Sequence, residues 1–240
     1  MVRHAVFLAA SVALLAARAA FAGEEWLAAN HLILEPAGKL TLHLVTGEHF
    51  LPQEEKAFLA RDNERFELYH GSAFLNLVEG AHDGDRPFWS QPLDFEGQYL
   101  VVLTRTREDS ERRAREFHFA KLLGRIGADD EGSLHHRFMG QQLEMVLIQN
   151  PAELAPGEEE IVQVYFETRP LAGQTITAMH RDGEKLLESS AVTDGRGVAR
   201  LPLNAAGEWL MSTSYARACK ACKDADAENF HATYTFELGS

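Results

Sequence analysis

Short stretches in which apolar and polar residues alternate recur along most of this chain. The first is at residues 40–45, and similar stretches rich in β-forming residues follow at 66–69, 73–78 and 99–104. Alternation with a period of two gives an extended strand one face for a core and one for solvent. Segments rich in Gly, Asp and Pro separate these stretches and supply turns. The first half of the chain is therefore predicted to be rich in β-strands.

One segment of the first half departs from this pattern. Residues 108–125 contain many good helix formers and no proline, and their apolar side chains cluster in the second half of the segment. Such a composition favours a helix. We therefore expect one helix near residues 108–125.

The alternation becomes more regular after residue 150. Strand-like stretches follow at 161–166, 175–179, 185–189, 198–203, 209–213 and 232–236. Six or seven strands in about 85 residues are typical of an immunoglobulin-like sandwich. The proline-containing segment 150–157 favours a domain boundary. We thus expect a mainly β protein, with an N-terminal β-rich domain at 23–149 that carries the helix and an immunoglobulin-like β-sandwich at 150–240.

The first residues have the features of a secretory signal peptide. A basic start precedes an apolar run over residues 5–17, and Ala20-Phe21-Ala22 is a small-x-small cleavage site. The apolar run is too short to span a bilayer, and Arg18 ends it. We expect residues 1–22 to be removed, and the mature protein to be periplasmic or secreted and not an integral membrane protein.

Charge and missing motifs exclude several classes of function. The chain has 36 acidic against 23 basic residues, a formal net charge of −13 at pH 7. Such a surface repels nucleic acid and anionic lipid. The sequence also lacks a phosphate-cradling glycine motif, a dinucleotide motif in a strand-helix context and a nucleophile elbow. We expect neither a nucleic-acid partner nor an enzymatic activity.

Cys219 and Cys222 form a Cys-Lys-Ala-Cys motif between two predicted strands. In an exported protein this spacing fits a short-range disulfide. It also fits a pair of thiolate ligands for a soft or borderline metal ion, completed by a histidine such as His231. A thioredoxin-like redox pair is a third interpretation, although it requires a following helix and residues 223–226 have the composition of a loop.

Histidines supply the other candidate chemistry. The chain contains 11 of them, and imidazole binds nickel, cobalt, copper and zinc. His180 ends the predicted strand 175–179, where it is either a ligand or a solvated strand-end residue. His-x-His and His-Glu-x-x-His spacings are both missing from the sequence, so the histidine pattern alone defines no site.

Four motifs of the second half occur in an order that is specific to one family. They are Pro156-Gly157, Arg169-Pro170-Leu171-Ala172-Gly173, Thr193-Asp194 with Gly197, and Gly207-Glu208-Trp209. In this order the chain resembles the DUF4198 family of bacterial periplasmic proteins. The resemblance implies a periplasmic component that binds nickel or cobalt, or that assists an inner-membrane metal transporter, without catalysing a reaction.

Two positions differ from the family pattern. Where the family has Ala-His shortly before a tryptophan, this chain has Gly23-Glu24-Glu25-Trp26, and residues 209–214 lack a histidine often found there.

The candidate metal ligands are His180, His231, Cys219 and Cys222. The expected cofactor is a divalent ion such as nickel, cobalt, copper or zinc. The alternative is a metal-free β-sandwich module that binds a membrane or other envelope protein.

Overall fold

The computed structural model describes residues 24–56, 64–77, 88–127 and 132–239. Within these ranges the chain is built of β-strands, with short 3₁₀ turns at Leu134–His136 and Pro151–Glu153 and no α-helix. The expected mainly β fold is confirmed. The predicted signal peptide at residues 1–22 lies outside the described ranges. No helix in the described part has the length and apolar character needed to cross a membrane.

The strands fall into two series along the chain. The first series is β1 (Glu24–Ala29), β2 (Ile33–Leu34), β3 (Lys39–Glu48), β4 (Leu51–Lys56), β5 (Glu64–His70), β6 (Ala73–Asn76), β7 (Phe88–Pro92), β8 (Gly97–Asp109) and β9 (Ala114–Ile126). The second series is β10 (Leu143–Leu147), β11 (Glu159–Phe166), β12 (Arg169–Pro170), β13 (Thr175–Asp182), β14 (Lys185–Val192), β15 (Val198–Pro202), β16 (Gly207–Ala218) and β17 (Ala227–Leu238).

A long central sheet contains strands from both series. Among the described residues its order is β14-β13-β16-β17-β9-β8-β5-β6, with β2 beside β9. β17 runs parallel to β9 and places Phe230 opposite Phe117 and His231 opposite His118. The sheet therefore continues across the boundary that we placed near residue 150, and the two-domain division stays a prediction.

Two smaller sheets cover the two faces of the central sheet. β10, β11, β12 and β15 cover what we call the first face, and β1, β3, β4 and β7 cover the second face. Successive side chains of a strand point to opposite faces. Phe119 and Leu123 of β9 accordingly lie in the apolar core on the first face, whereas Ala120 and Leu122 lie in the apolar core on the second face. Burial of apolar area in these two cores stabilises the three-layer arrangement.

The prediction of a helix near residues 108–125 is wrong, because these residues lie in strands β8 and β9 and the turn between them. β8 and β9 form an antiparallel hairpin that pairs Asp109 with Ala114, and Arg113 adopts a φ of 50° in the turn. β9 is buried on both faces, so its apolar residues form a nearly continuous run without the alternation of a half-exposed strand. Its many helix formers have little weight here, because tertiary packing overrides helix propensity.

The expected C-terminal sandwich is confirmed in outline. β10, β11 and β15 pack on β14, β13, β16 and β17 around one apolar core within the described residues. Three strands facing four is the layout of a seven-stranded sandwich. The difference from an isolated sandwich lies at β17, where β9 extends the sheet.

Candidate functional site

On the second face of the central sheet, β17 presents the polar side chains of His231, Thr233 and Thr235. The hydroxyls of Thr233 and Thr235 donate to the backbone carbonyls of Glu25 and Leu27 at 3.0 and 2.9 Å, which holds β1 across β17. A cavity of about 590 Å³ lies beside this crossing, and Glu25 and Thr233 are among its lining residues. Polar groups are costly to bury, so a polar patch on a covered sheet face is a candidate functional site.

We call this cavity the acid–histidine pocket. Its ionisable lining residues are Glu24, Glu25, Glu48, His49, Glu188 and His231. Its neutral polar lining residues are Gln174, Thr175, Thr177, Ser212, Thr213, Ser214 and Thr233. Pockets of several hundred Å³ are the usual size for a small ligand. The pocket thus combines carboxylates, imidazoles and hydroxyls in a space open to small molecules or ions.

Glu24 projects from β1 toward β16. The Ser212 hydroxyl donates to Glu24 Oε1 at 2.5 Å, whereas Glu24 Oε2 is shielded from solvent and has no hydrogen-bond partner among the described residues. Burial raises the pKa of Glu24, with Glu188 adding to the rise and His49 and His231 opposing it. A cation at Oε2 would favour the ionised form of this carboxyl.

His231 is held in place by a carboxylate behind it. Its ring stacks on that of His118 at 5.0 Å between centroids, and its Nε2 lies 3.0 Å from Glu116 Oε2. Asn229 donates to the other oxygen of Glu116 at 2.7 Å. Burial disfavours the charge on Glu116, but the hydrogen bonds from His231 and Asn229 outweigh it and lower the pKa of Glu116. The carboxylate therefore fixes the orientation of the His231 ring.

Glu25 lies almost fully buried beside His118. Arg107 donates to Glu25 Oε2 at 2.8 Å and Arg105 lies 3.5 Å from the same oxygen, while His118 Nδ1 lies 3.9 Å from Glu25 Oε1. Burial lowers the pKa of His118 to about 4, although the charge of Glu25 opposes this. His118 is therefore neutral at pH 7 and adds no positive charge next to the pocket.

Negative groups outnumber positive ones around the pocket within the described residues. The carboxylates are Glu24, Glu25, Glu48, Glu64, Glu116 and Glu188. The guanidinium groups are Arg105, Arg107 and Arg181. An excess of carboxylates in a partly desolvated space attracts cations. The electrostatics of the pocket favour a positively charged ligand.

The two histidines predicted as ligands lie in different places. His231 lines the acid–histidine pocket. His180 is buried against Trp209, and its Nδ1 lies 2.8 Å from the Glu208 carbonyl. In the sheet, His180 is opposite Trp209 and His231 is opposite Ser214, both on β16. These positions on β16 are about 17 Å apart at the rise of a strand, so the two histidines do not converge on one ion.

The two predicted cysteine ligands form a disulfide in the loop between β16 and β17. Their sulfur atoms and a carboxylate oxygen of Glu228 lie within 4.8 Å of one another. Among the described residues no other trio of histidine, cysteine or acidic groups is as close, and His231 is not part of it. Ligation by the thiols in this loop would require reduction of the disulfide.

Most residues of the acid–histidine pocket have no local pattern that predicts them. Glu24, His49 and Glu188 are far apart in the chain and come from β1, the β3–β4 turn and β14. One local signal was present, because Ser212 and Ser214 place small hydroxyl residues at alternate positions of β16 and therefore on one face of the strand. A hydroxyl row on a covered face indicates a polar cavity, but it does not identify the acidic residues opposite.

Comparisons with known proteins identify a family but no function. The model of DUF4198, a domain of unknown function, matches residues 20–217. No curated protein matches the chain. The solved "D0-D1 domain of Intimin" is 15% identical, with 89% of this chain and 97% of that chain covered and a TM-score of 0.25. A tetra-tandem repeat in the extending region of a large adhesion protein is 12% identical, with 90% and 49% covered and a TM-score of 0.24.

The chicken CNTN1 FN1-FN3 domains are 9% identical, with 90% of this chain and 64% of that chain covered and a TM-score of 0.23. At these TM-scores none of the solved structures bears on function. The family model, in contrast, covers most of the chain, including the four motifs described above. The protein therefore belongs to the DUF4198 family.

Proposed function

We propose that this protein is a non-catalytic β-sandwich protein of the periplasm that binds a divalent transition-metal ion in the acid–histidine pocket, or assists the uptake of such an ion. The ion would be of the nickel or cobalt class, and the partner would be an inner-membrane metal transporter or another envelope protein. The observation that carries the proposal is Glu24 Oε2, which is shielded from solvent without a hydrogen-bond partner among the described residues. It shares its pocket with His231 and His49.

The donor set suits such an ion. Imidazole binds nickel, cobalt, copper and zinc, and carboxylates accompany it in many sites. Because His231 Nε2 faces Glu116 at 3.0 Å, the imidazole proton is best placed on Nε2. The lone pair then lies on Nδ1, and a carboxylate behind a ligating histidine is the usual support for a metal ligand. Glu116 would orient His231 in this way.

Glu24 and His231 would supply the positioned ligands of the site. Together with His49 and Glu188 they line one pocket, but the four ligand atoms do not all lie within 4.8 Å of one another. His49 lies in the β3–β4 turn with its side chain 68% exposed, and Glu188 is 47% exposed. Exposed side chains change rotamer easily, so these two would move to the ion while the partly buried pair stays in place.

The test is calorimetric titration of untagged mature protein with Ni²⁺, Co²⁺, Cu²⁺ and Zn²⁺ at pH 7. We expect one equivalent to bind, with affinity lowered at least about tenfold in Glu24→Gln and in His231→Ala. His31→Ala is the matched control, because His31 is exposed and does not line the pocket. No heat with any of the four ions, or equal affinity in all three variants, would refute the proposal.

A second candidate function is a metal-free interaction module for an envelope or membrane protein. Its support is β6, the last strand of the central sheet among the described residues, where Phe74 is 64% and Leu75 is 43% exposed. Apolar residues on an edge strand offer a surface on which a partner strand can pair. A photo-crosslinking residue at position 74 should then capture one defined protein in intact cells. Val192, 60% exposed on β14 at the opposite edge, is the matched position that should capture none.

A further inference from the structure

We propose that Cys219, Cys222 and Glu228 form a second metal site, which exists only while the disulfide is reduced and takes a thiophilic ion such as Zn²⁺. This site goes beyond the proposed function, because it shares no residue with the acid–histidine pocket. Oxidation and metal binding exclude one another here, since both use the same two sulfur atoms. The loop would thus bind metal or not according to its redox state.

The geometry is close to that of a bound ion. With Zn–S distances near 2.3 Å and Zn–O distances near 2.0–2.2 Å, ligand atoms around a tetrahedral zinc lie about 3.5–3.8 Å apart. The two sulfur atoms and the Glu228 oxygen already lie within 4.8 Å of one another. Small side-chain rotations after reduction would bring the three donors to an ion. A cavity of about 560 Å³ beside the loop leaves room for a fourth ligand such as water.

The loop has supports other than the disulfide. β16 and β17 pair up to Ala218 and Ala227, and the Cys219 amide donates to the Asp226 carbonyl at 2.9 Å. The Arg113 guanidinium donates to both carboxylate oxygens of Asp226, at 2.8 and 3.1 Å. These contacts remain when the sulfur–sulfur bond is broken. The reduced thiols are therefore expected to stay near Glu228.

The local charge also accommodates an ion. Arg115, Arg217 and Lys220 line the cavity beside the loop, and Arg217 Nε binds one oxygen of Glu228 at 2.6 Å. A disulfide is uncharged, and two thiolates with one divalent cation also sum to zero. Metal binding after reduction therefore adds no net positive charge among these basic groups. A carboxylate has two oxygens, so Glu228 can coordinate an ion through one of them while the other accepts from Arg217.

The redox step is a thiol–disulfide exchange. A dithiol reductant transfers two electrons and two protons, breaks the Cys219–Cys222 bond and leaves as a disulfide itself. Binding of a divalent ion by the two thiols then releases two protons, because thiolates are the ligands. In the reverse exchange, a disulfide-containing oxidant takes two electrons from the two thiolates and is itself reduced to two thiols, while the Cys219–Cys222 bond reforms and the ion is released.

The test uses full-length mature protein carrying Glu24→Gln and His231→Ala, so that the pocket does not contribute. It is compared oxidised and after reduction with a phosphine, which supplies no competing thiol. Co²⁺ is the probe, because coordination by thiolates gives a near-ultraviolet charge-transfer band that histidine and carboxylate sites lack. We expect one equivalent of Co²⁺ to produce the band in the reduced protein only, and Zn²⁺ to displace it.

Glu228→Gln should weaken binding to the reduced protein at least about tenfold. The matched control is Glu167→Gln, because Glu167 also binds Arg217, at 2.7 Å, but is not in the trio. A missing band in the reduced protein, a disulfide that resists reduction in the folded state, or equal affinity of the two variants would overturn the proposal. None of these results bears on the acid–histidine pocket, whose own test leaves the disulfide intact.

Discussion

The two faces of the central sheet treat buried charge in opposite ways. On the first face, Lys121 Nζ and Glu144 Oε1 are 2.5 Å apart and both side chains are nearly inaccessible. Glu144 also accepts the amides of Met139, Gly140 and Gln141, at 2.6, 2.8 and 3.0 Å. Lys121 donates to two backbone carbonyls as well. Both members of this ion pair are fully hydrogen-bonded.

On the second face, the ionisable groups are incompletely hydrogen-bonded. Glu24 Oε2, Glu25 Oε1 and His118 Nδ1 are buried without hydrogen-bond partners among the described residues. A network that satisfies all its members rigidifies a fold, whereas unsatisfied buried groups cost free energy and require a reason. The first face thus satisfies its central ion pair, whereas the second face leaves three buried polar atoms of the described chain without hydrogen bonds at the site where we propose that an ion binds.

The largest effect is expected from breaking the satisfied pair. Glu144→Ala leaves Lys121 as an uncompensated buried charge and leaves three amides without their acceptor. We expect the free energy of unfolding to fall by about 3–5 kcal/mol. Urea unfolding measures this, with the exposed Glu184→Ala as control. A loss under about 1 kcal/mol would mean that this network is not structural.

Glu160 is an exception on the first face. It is fully buried, and its Oε1 accepts the Gln149 amide at 3.2 Å while its Oε2 has no partner in the described part of the chain. Burial raises the pKa of Glu160 to about 8, despite hydrogen bonds from backbone amides that lower it. The folded state therefore retains a proton that the unfolded state loses near pH 4.5, the ordinary pKa of a glutamate carboxyl.

The contribution of Glu160 to the free energy of unfolding therefore falls as the pH rises from about 4.5 to 8, since its carboxyl keeps a proton in the folded state that it loses in the unfolded state. Glu160→Gln removes the titration and should be more stable than wild type at pH 8 by about 2–4 kcal/mol, with the difference vanishing toward pH 4.5. Urea unfolding across this pH range is the measurement. If the free energy of unfolding varied with pH in the same way in wild type and in Glu160→Gln, Glu160 would not cause the pH dependence.

The third effect concerns His118 on the second face. Burial lowers its pKa to about 4, with Glu25 opposing and His231 and Arg107 adding to the shift. Below pH 6.5 His118 binds a proton in the unfolded chain but not in the folded protein. Its contribution to stability is therefore lost as the pH falls from about 6.5 to 4. His118→Gln should reduce this acid-side loss by about 1–3 kcal/mol in pH-dependent unfolding. If the free energy of unfolding of the variant fell with pH between 6.5 and 4 as steeply as that of wild type, this prediction would be wrong.

The same contrast between faces explains what was predictable from sequence. β3, β11 and β13 were expected within a few residues of their observed ends, because each alternates between a core and a more exposed side. β9 was mistaken for a helix because two layers bury it, which removes the alternation. Local patterns thus predict strands with one buried face and fail for a strand at the centre of three layers.

The candidate site was predictable only in part. His231 was identified from its chemistry, but its grouping with the cysteines was not what the structure shows. Its real neighbours are Glu116, on a strand paired with its own in parallel, and Glu24, on a strand of the layer above. Parallel pairing and layer stacking join segments that are distant in sequence, and neither has a local pattern.

The smallest effect distinguishes a ligand site from a packing defect. Glu24→Gln keeps the acceptor for Ser212 and removes a carboxylate whose pKa burial raises. Without metal, the variant should be more stable than wild type at pH 7 by about 1 kcal/mol, because a desolvated charge is gone. The same concentration of Ni²⁺ should then raise the Tm of wild type more than that of the variant, since tighter binding to the folded state stabilises it more. The exposed Glu35→Gln should behave as wild type in both conditions. If Ni²⁺ raised the Tm of both proteins equally, Glu24 would not be a metal ligand. Its unpaired oxygen would then be a packing defect, and the proposed difference between the two faces would be wrong.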